Sequence, residues 1–357
     1  MRITILTVCL SLATLIVPTQ ARGSYVRPEK LPEQVHVGFR LQELVVTLHE
    51  PVVVQFEVHN GLKEPITVTV GALVRQFFDL ALTTPSGQTL HKDPFEGQVD
   101  VVTVGDGRVT VAPDGDYKES LVLNRWFPFT TQGKYSLTSR LTSEIETASG
   151  SFSTEAQTVQ FQVDPRNPAR LTKICENLAT QVESAPNAQA AREPAITLTY
   201  IDDSVAVPYL IRILSTNTLT YDKAIEGLAR IGNRPAIEAL LSLLGDNRSD
   251  VAELATIALR RVDARITDPS LKETVTKAVE RSSERTRNEF IKKQIAYLDY
   301  RSPTLQQTAI QSLMKVEDGL QQAEPALQRL ANDPNQPPDV RDAAKEALRK
   351  LHPNPQQ

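Results

Sequence analysis

One apolar template recurs along the C-terminal half of this chain: a small residue, another small residue three positions on, a large aliphatic next to it, and a second aliphatic three further. It appears as Ala224–Gly227–Leu228–Ile231 and, 31 residues later, as Ala255–Ala258–Leu259–Val262. It returns as Ala309–Ser312–Leu313–Val316 and Ala344–Ala347–Leu348–Leu351. Positions i, i+3, i+4 and i+7 share one helix face. The small residues let a neighbouring helix approach, and the aliphatics fill the seam between them. Segments upstream keep the same interval: Leu210, Ile213 and Leu214 align with Leu240, Leu243 and Leu244, and Leu198 and Ile201 align with Leu228 and Ile231. A helix pair of this size cannot bury both faces alone, so each needs the next. A period of 30-odd residues therefore predicts an α-solenoid whose helix pairs share one continuous apolar spine. About five units fit between 170 and 352, the last opening on "EPALQRLAND" with Leu327 and Leu330. Ser302-Pro303 and Asp268-Pro269 place a cap before a proline at a first helical position, and Asp250 with Glu253 forms a capping box. The stretch 265–300 is helical but departs from the template.

Before "DPRNPAR" (164–170) the period is two. Val52, Val54, Phe56 and Val58 alternate with Val53, Gln55, Glu57 and His59, giving a strand with one wet face. The same alternation appears at Leu44/Val46/Leu48, Ile66/Val68/Val70, Phe78/Leu80/Leu82, Tyr135/Leu137/Leu141 and Val159/Phe161/Val163. Turn-forming stretches such as "TPSGQ" (84–88) and "PDGD" (113–116) separate these runs. Many short strands without helical segments between them predict an antiparallel β-sandwich.

The first residues carry the marks of a secretory leader: Arg2, the apolar run Ile3 to Val17, then Thr19 and Ala21 at the positions a signal peptidase reads. The organisation expected is a signal peptide at 1–21, a linker at 22–34, a sandwich at 35–164, a second linker at 165–170, a helical solenoid at 171–352 and a tail at 353–357. Cleavage takes the formal net charge from −4 to −5 and leaves Cys175 as the one cysteine, Cys9 lying in the leader. No internal disulfide can form, so both domains must stand on their own cores. Hydrophobic content of 40% and charged content of 23% allow that. Residues 35–164 hold 9 Lys+Arg against 16 Asp+Glu, whereas residues 165–357 hold 26 against 25. Neither balance forms the dense basic face that nucleic acid requires, and no run beyond the leader is long enough to span a bilayer.

Two stretches resemble known families. "AREPAITLTYIDDSVAVPYLIRIL" (191–214) and "YDKAIEGLARIGNRPAIEALLSLLGDNRSDVAELATIALRRV" (221–262) are similar to HEAT-like repeats of the short bacterial type named after phycobilisome lyases. That resemblance implies a scaffold for protein partners; nothing in an exported chain calls for the pigment attachment of the lyase members. "NRWFPFTTQGKYSL" (124–137) resembles the tyrosine corner of immunoglobulin-like sandwiches, with Tyr135 bonding back across a corner and Leu137 where antibody domains have cysteine. The surrounding stretch is similar to Ig-like domains near the N-terminus of secreted bacterial proteins, certain metallopeptidases among them. A zincin needs two histidines one helical turn apart with glutamate after the first. Here His49-Glu50 is followed by Pro51, Val52 and Val53, so the second ligand is missing.

Candidate sites follow from the same reading. Arg230, Arg261, Lys315 and Lys350 share the template position before the closing aliphatic, where stacking would align them as a basic ladder able to receive an acidic protein partner. Cations near helix C-termini also simply offset the helix dipole. Cys175 falls on an apolar stripe, as core cysteines do. His36, His49, His59 and His91 match no ligand spacing, with His49 and His59 on outward strand faces. Asp93, Glu96, Asp100, Asp114 and Asp116 crowd turns without a calcium-loop spacing, and Trp126, Phe127 and Phe129 suit the packing of a sandwich corner. No catalytic set, metal site or cofactor is expected. The reading is a non-catalytic exported bacterial protein-binding scaffold or adaptor that uses the concave surface of the solenoid, periplasmic or extracellular. Its alternatives are a component of a secreted, peptidase-associated hydrolase and a carbohydrate-binding sandwich.

Overall fold

A computed structural model describes residues 29–70, 77–92, 107–216 and 220–353. The expected leader with Cys9, linker residues 22–28, and Asp93, Glu96 and Asp100 lie outside the described residues.

The chain forms a β domain followed by a helical domain. In order, the strands are β1 (Glu29–Lys30), β2 (Val35–Leu41), β3 (Val45–Thr47), β4 (Val53–Asn60), β5 (Ile66–Thr69), β6 (Phe78–Thr83) and β7 (Thr89–His91). They continue with β8 (Arg108–Val111), β9 (Gly115–Val122), β10 (Gly133–Leu141), β11 (Ile145–Thr147), β12 (Gly150–Ser153) and β13 (Gln157–Asp164). Three sheets result, ordered β1-β12-β11-β5-β8, β3-β13-β10-β6-β7 and β2-β4-β9. Alternation sets the inward faces: β4 buries Val54, Phe56 and Val58 and turns Gln55, Glu57 and His59 the other way. Phe39 and Phe56 of the three-stranded sheet meet Phe78 of its neighbour at ring distances of 6.0 and 5.0 Å, so aromatic edges lock two sheets together. At the predicted corner the Tyr135 hydroxyl donates to the Thr131 carbonyl at 2.7 Å, and its ring stacks on Phe161 at 5.5 Å.

Side chains seal the open edges. The Gln157 amide accepts from Phe39 N–H at 3.1 Å and donates to Val37 C=O at 2.7 Å, standing in for a strand beside β2. Asn124 does the same across the turn into β4, accepting from Val52 N–H at 2.7 Å and donating to Glu50 C=O at 3.1 Å. The predicted Leu44/Val46/Leu48 strand is shorter than its pattern: Val46 is buried, Leu44 is 65% exposed, and His49, with φ of 72°, sits in a turn rather than on a strand face.

The helical domain comprises α1 (Pro168–Ser184), α2 (Ala188–Thr199), α3 (Val207–Thr216), α4 (Tyr221–Ile231), α5 (Arg234–Leu243), α6 (Ser249–Asp263), α7 (Pro269–Leu298), α8 (Pro303–Leu313), α9 (Gly319–Asn332) and α10 (Pro338–Leu351). Asn167, Asn187, Asn233, Asp268 and Ser302 cap their helices through side-chain oxygens. The helices pair in sequence, with α2, α4 and α6 packed in succession and α1, α3 and α5 beside them. Polar contacts cross from one pair to the next: Arg212 of α3 reaches Glu176 of α1 at 2.8 Å, Arg329 of α9 meets Asp299 at 3.0 Å, and Gln307 of α8 meets Asp339 of α10 at 2.9 Å. None of the described helices is long and apolar enough to cross a membrane.

The apolar interior is not the one continuous spine that the period predicts. One core runs from Leu171 to Val275 and a second from Ile291 to Ala347. Both cores draw on α7, 30 residues long, but between Val275 and Ile291 it buries only Ser282, whose hydroxyl meets that of Thr256 on α6 at 3.0 Å. "ERSSERTR" (280–287) offers no large aliphatic to carry the core across, and a buried hydroxyl pair takes its place.

Where the template is tightest, its size limit is explicit. A Cβ added to Gly227 of α4 would lie 2.9 Å from Leu210 Cδ2 and 3.3 Å from the Thr199 Cα. Gly227→Val is expected to lower stability by about 1–3 kcal/mol, measured by urea unfolding. The equivalent Ala258→Gly should cost less, because it removes one methyl without forcing α2, α3 and α4 apart.

Candidate interaction surface

One bidentate arginine–carboxylate pair joins the two domains, and a second ties the connecting segment to the helical domain. Arg170, in the first turn of α1, donates through Nε and Nη2 to Glu50 at 2.7 and 2.8 Å. Its Nη2 also reaches the Val45 carbonyl at 3.0 Å, while Glu50 Oε2 accepts the Thr47 N–H at 2.8 Å. Both backbone groups belong to β3, an edge strand, so the pair closes that edge as it ties α1 to the β domain. Arg166 in the connecting segment donates to Asp203 at 2.6 and 3.0 Å. Asp203 also accepts the Val205 N–H at 3.0 Å, and the Arg166 hydrogen bonds hold its carboxyl below the ordinary range.

Beside these pairs, Val53 and Val122 pack against Tyr200 and Ile196 of the helical domain. Burial raises the Glu119 carboxyl of β9, while a hydrogen bond from Tyr117 and the charge of Arg192 oppose the shift. A carboxyl raised in the folded state favours folding in its protonated form. Its contribution is therefore present below the ordinary glutamate range and is lost as pH rises through the raised value. Glu119→Gln should raise the melting temperature at pH 7 and change it little at pH 4, read by calorimetry at both pH values.

The four ladder candidates fall into two groups. Arg230 lays its guanidinium over the Tyr200 ring at 4.6 Å, at the domain junction. Arg261 is exposed on α6, which packs on α4. Lys315 is exposed just after α8; Lys350 on α10 lies 3.6 Å from Glu346 and 3.6 Å from the Met314 sulfur. Helix α7 packs against both α6 and α8 and stands between the groups.

A groove that the template did not foretell opens on α6 and α7. It is open to solvent, has a volume of about 500 Å³ and is lined by Arg260, Val279, Glu280, Ser283, Glu284 and Arg287. Arg260 donates to the Ser283 hydroxyl at 2.7 Å, and Arg287 Nη1 to Glu317 at 3.0 Å. Its signal in the sequence is the off-template "ERSSERTR", whose charges at helical spacing cannot be core.

The other candidates stay apart from these features. His36 and His59 stack at 6.2 Å, with His59 Nδ1 2.9 Å from Asp116, and His91 is exposed at the end of β7. No three His, Cys, Asp or Glu side chains among the described residues are grouped to hold a metal ion. Cys175 is buried, and burial, helped by the charge of Asp203, pushes its thiol up to about 12. Asp114 occupies a turn at φ 53°, while Phe127 and Phe129 are buried in the β core.

No family model matches the chain, and no curated protein matches it. Among solved structures, human deoxyhypusine hydroxylase in complex with glycerol is similar over 50% of this chain and 85% of its own, at 15% identity and a TM-score of 0.26. A sporulation control protein from Bacillus subtilis aligns over 41% of this chain and 56% of its own, at 16% identity and a TM-score of 0.21. An engineered protein aligns over 50% and 78%, at 19% identity and a TM-score of 0.22. Likeness at that level carries no argument about family. The expected membership among HEAT-like repeats of the phycobilisome-lyase type, joined to an Ig-like domain, is therefore corrected: no family evidence supports it. The apolar template that suggested it expresses a packing requirement common to stacked helices, and the 30-residue α7 does not follow it.

Proposed function

We propose that this chain is a non-catalytic, exported protein-binding scaffold: an α-solenoid-like helical stack held rigidly against a β-sandwich of Ig-like type. The observation that carries the reading is how the helices use their surfaces. Most apolar side chains are consumed between neighbouring pairs, Ile257 and Phe290 remaining partly open, and charged residues such as Arg261, Lys315 and Lys350 line the outside. An extended stack with a spent core and a charged exterior suits docking better than enclosing a substrate. Export rests on the leader-like sequence at 1–21. The test is crosslinking capture from the cell envelope using the wild-type chain and an Arg261→Glu/Lys315→Glu variant that folds with unchanged circular dichroism. The scaffold reading expects a defined protein retained by the first and lost by the second. Turnover of peptide or glycan substrates by the purified chain, or identical capture by both forms, would contradict it.

A further inference from the structure

We infer that the groove between α6 and α7 is a docking cradle for a partner-protein segment bearing a carboxylate next to a cationic side chain, an inference that rests on the scaffold reading. The groove sits where the apolar core breaks, and its lining is mostly polar, with Val279 alone packed against the core. On one side of the balance stand Arg260 and Arg287. Arg260 spends one N–H on Ser283. Arg287 pairs with Glu317 through Nη1, yet its Nε is buried and meets no acceptor among the described residues. A guanidinium offers five N–H groups in a planar fork matched to a carboxylate; that Nε is closed to a ligand, but Arg260 is exposed and the Arg287 side chain is 34% exposed, so their outer N–H groups can meet an incoming carboxylate. On the other side stand Glu280 and Glu284, both exposed on the same turns of α7.

Two cations and two anions around one groove match neither a purely acidic nor a purely basic ligand, since either would meet like charge. A segment carrying both signs is matched. Apolar anchorage is available as well: Ile257 lies one helical turn before Arg260 and Phe290 one turn after Arg287, exposed to 36% and 40%. The partner segment is thus expected to combine an acid–base pair with a flanking aliphatic or aromatic residue.

The probe set is three fluorescein-labelled dodecapeptides on a shared Leu/Ala background, carrying alternating Glu and Lys, Glu alone, or Lys alone, titrated into the full chain at low salt and read by anisotropy. The mixed peptide should bind most tightly. Arg260→Gln/Arg287→Gln should weaken it about 10-fold or more, while Lys134→Gln on the β domain leaves it unchanged. If that double variant does not fold, Glu280→Gln/Glu284→Gln at exposed positions supplies the second reading, shifting preference to the Glu-only peptide. Absence of peptide binding, equal binding of the three peptides, indifference to both variants, or displacement by a single-stranded oligonucleotide would overturn the cradle. Envelope capture that survives Arg260→Gln/Arg287→Gln would overturn it too while leaving the scaffold standing.

Discussion

The architecture turns on a buried carboxylate, Glu50, held by the Arg170 guanidinium. Glu50 is 4% exposed at the end of an edge strand, where an unpaired charge would be costly. Three groups meet there: the Thr47 N–H, the Val45 carbonyl and the Arg170 fork. The backbone of β3 needs partners on its outer side, and α1 needs an anchor at its first turn. One ion pair meets both needs. Because Arg170 belongs to the helical domain and Glu50 to the β domain, edge protection and domain docking become the same interaction. Arg166 with Asp203, and Val53 and Val122 against Tyr200, extend the junction on either side.

From that anchor the helical domain grows by nearest-neighbour contacts. Each pair covers the apolar face of the one before, as at Gly227, where even an added Cβ would stand 2.9 Å from Leu210 and 3.3 Å from Thr199. The growth changes character at α7. Val275 ends one core and Ile291 begins another, and Ser282 with Thr256 bridges the gap by a hydrogen bond. A polar seam holds helices together with less apolar burial and places long charged side chains along a groove. The same feature that interrupts the stack thus accompanies a charged groove on its surface.

Much of this was legible in the residues. The period-two runs around Phe56 and Leu80 identify the strands, because alternate burial is the only way a sandwich can use them. Tyr135 before Leu137 marked a corner whose hydrogen bond to Thr131 is present. The template from Ala224 to Leu351 located the second member of each later pair. What was not legible depends on contacts far apart in sequence. Nothing local to Glu50 reveals that Arg170, 120 positions away, will neutralise it. The Gln157 clasp on Val37 and Phe39 is equally invisible. The break in the core at α7 is not legible either, since "ERSSERTR" looks helical without disclosing that the core stops there. His49 departs from its expected strand face for a local reason: the strand ends at Thr47, earlier than its apolar pattern.

The central claim is that Glu50 and Arg170 join the two domains as a coupled unit rather than as neighbours in space. A double-mutant cycle with Glu50→Ala, Arg170→Ala and the pair, followed by guanidinium unfolding at neutral pH, tests it most directly. Glu50 is buried while Arg170 remains partly open to solvent, so screening removes part of what a fully enclosed pair would give. The account predicts a coupling of about 1–2 kcal/mol, with the domains of the Arg170→Ala form unfolding in separate transitions. Additive single effects, with one shared transition retained in every variant, would contradict it.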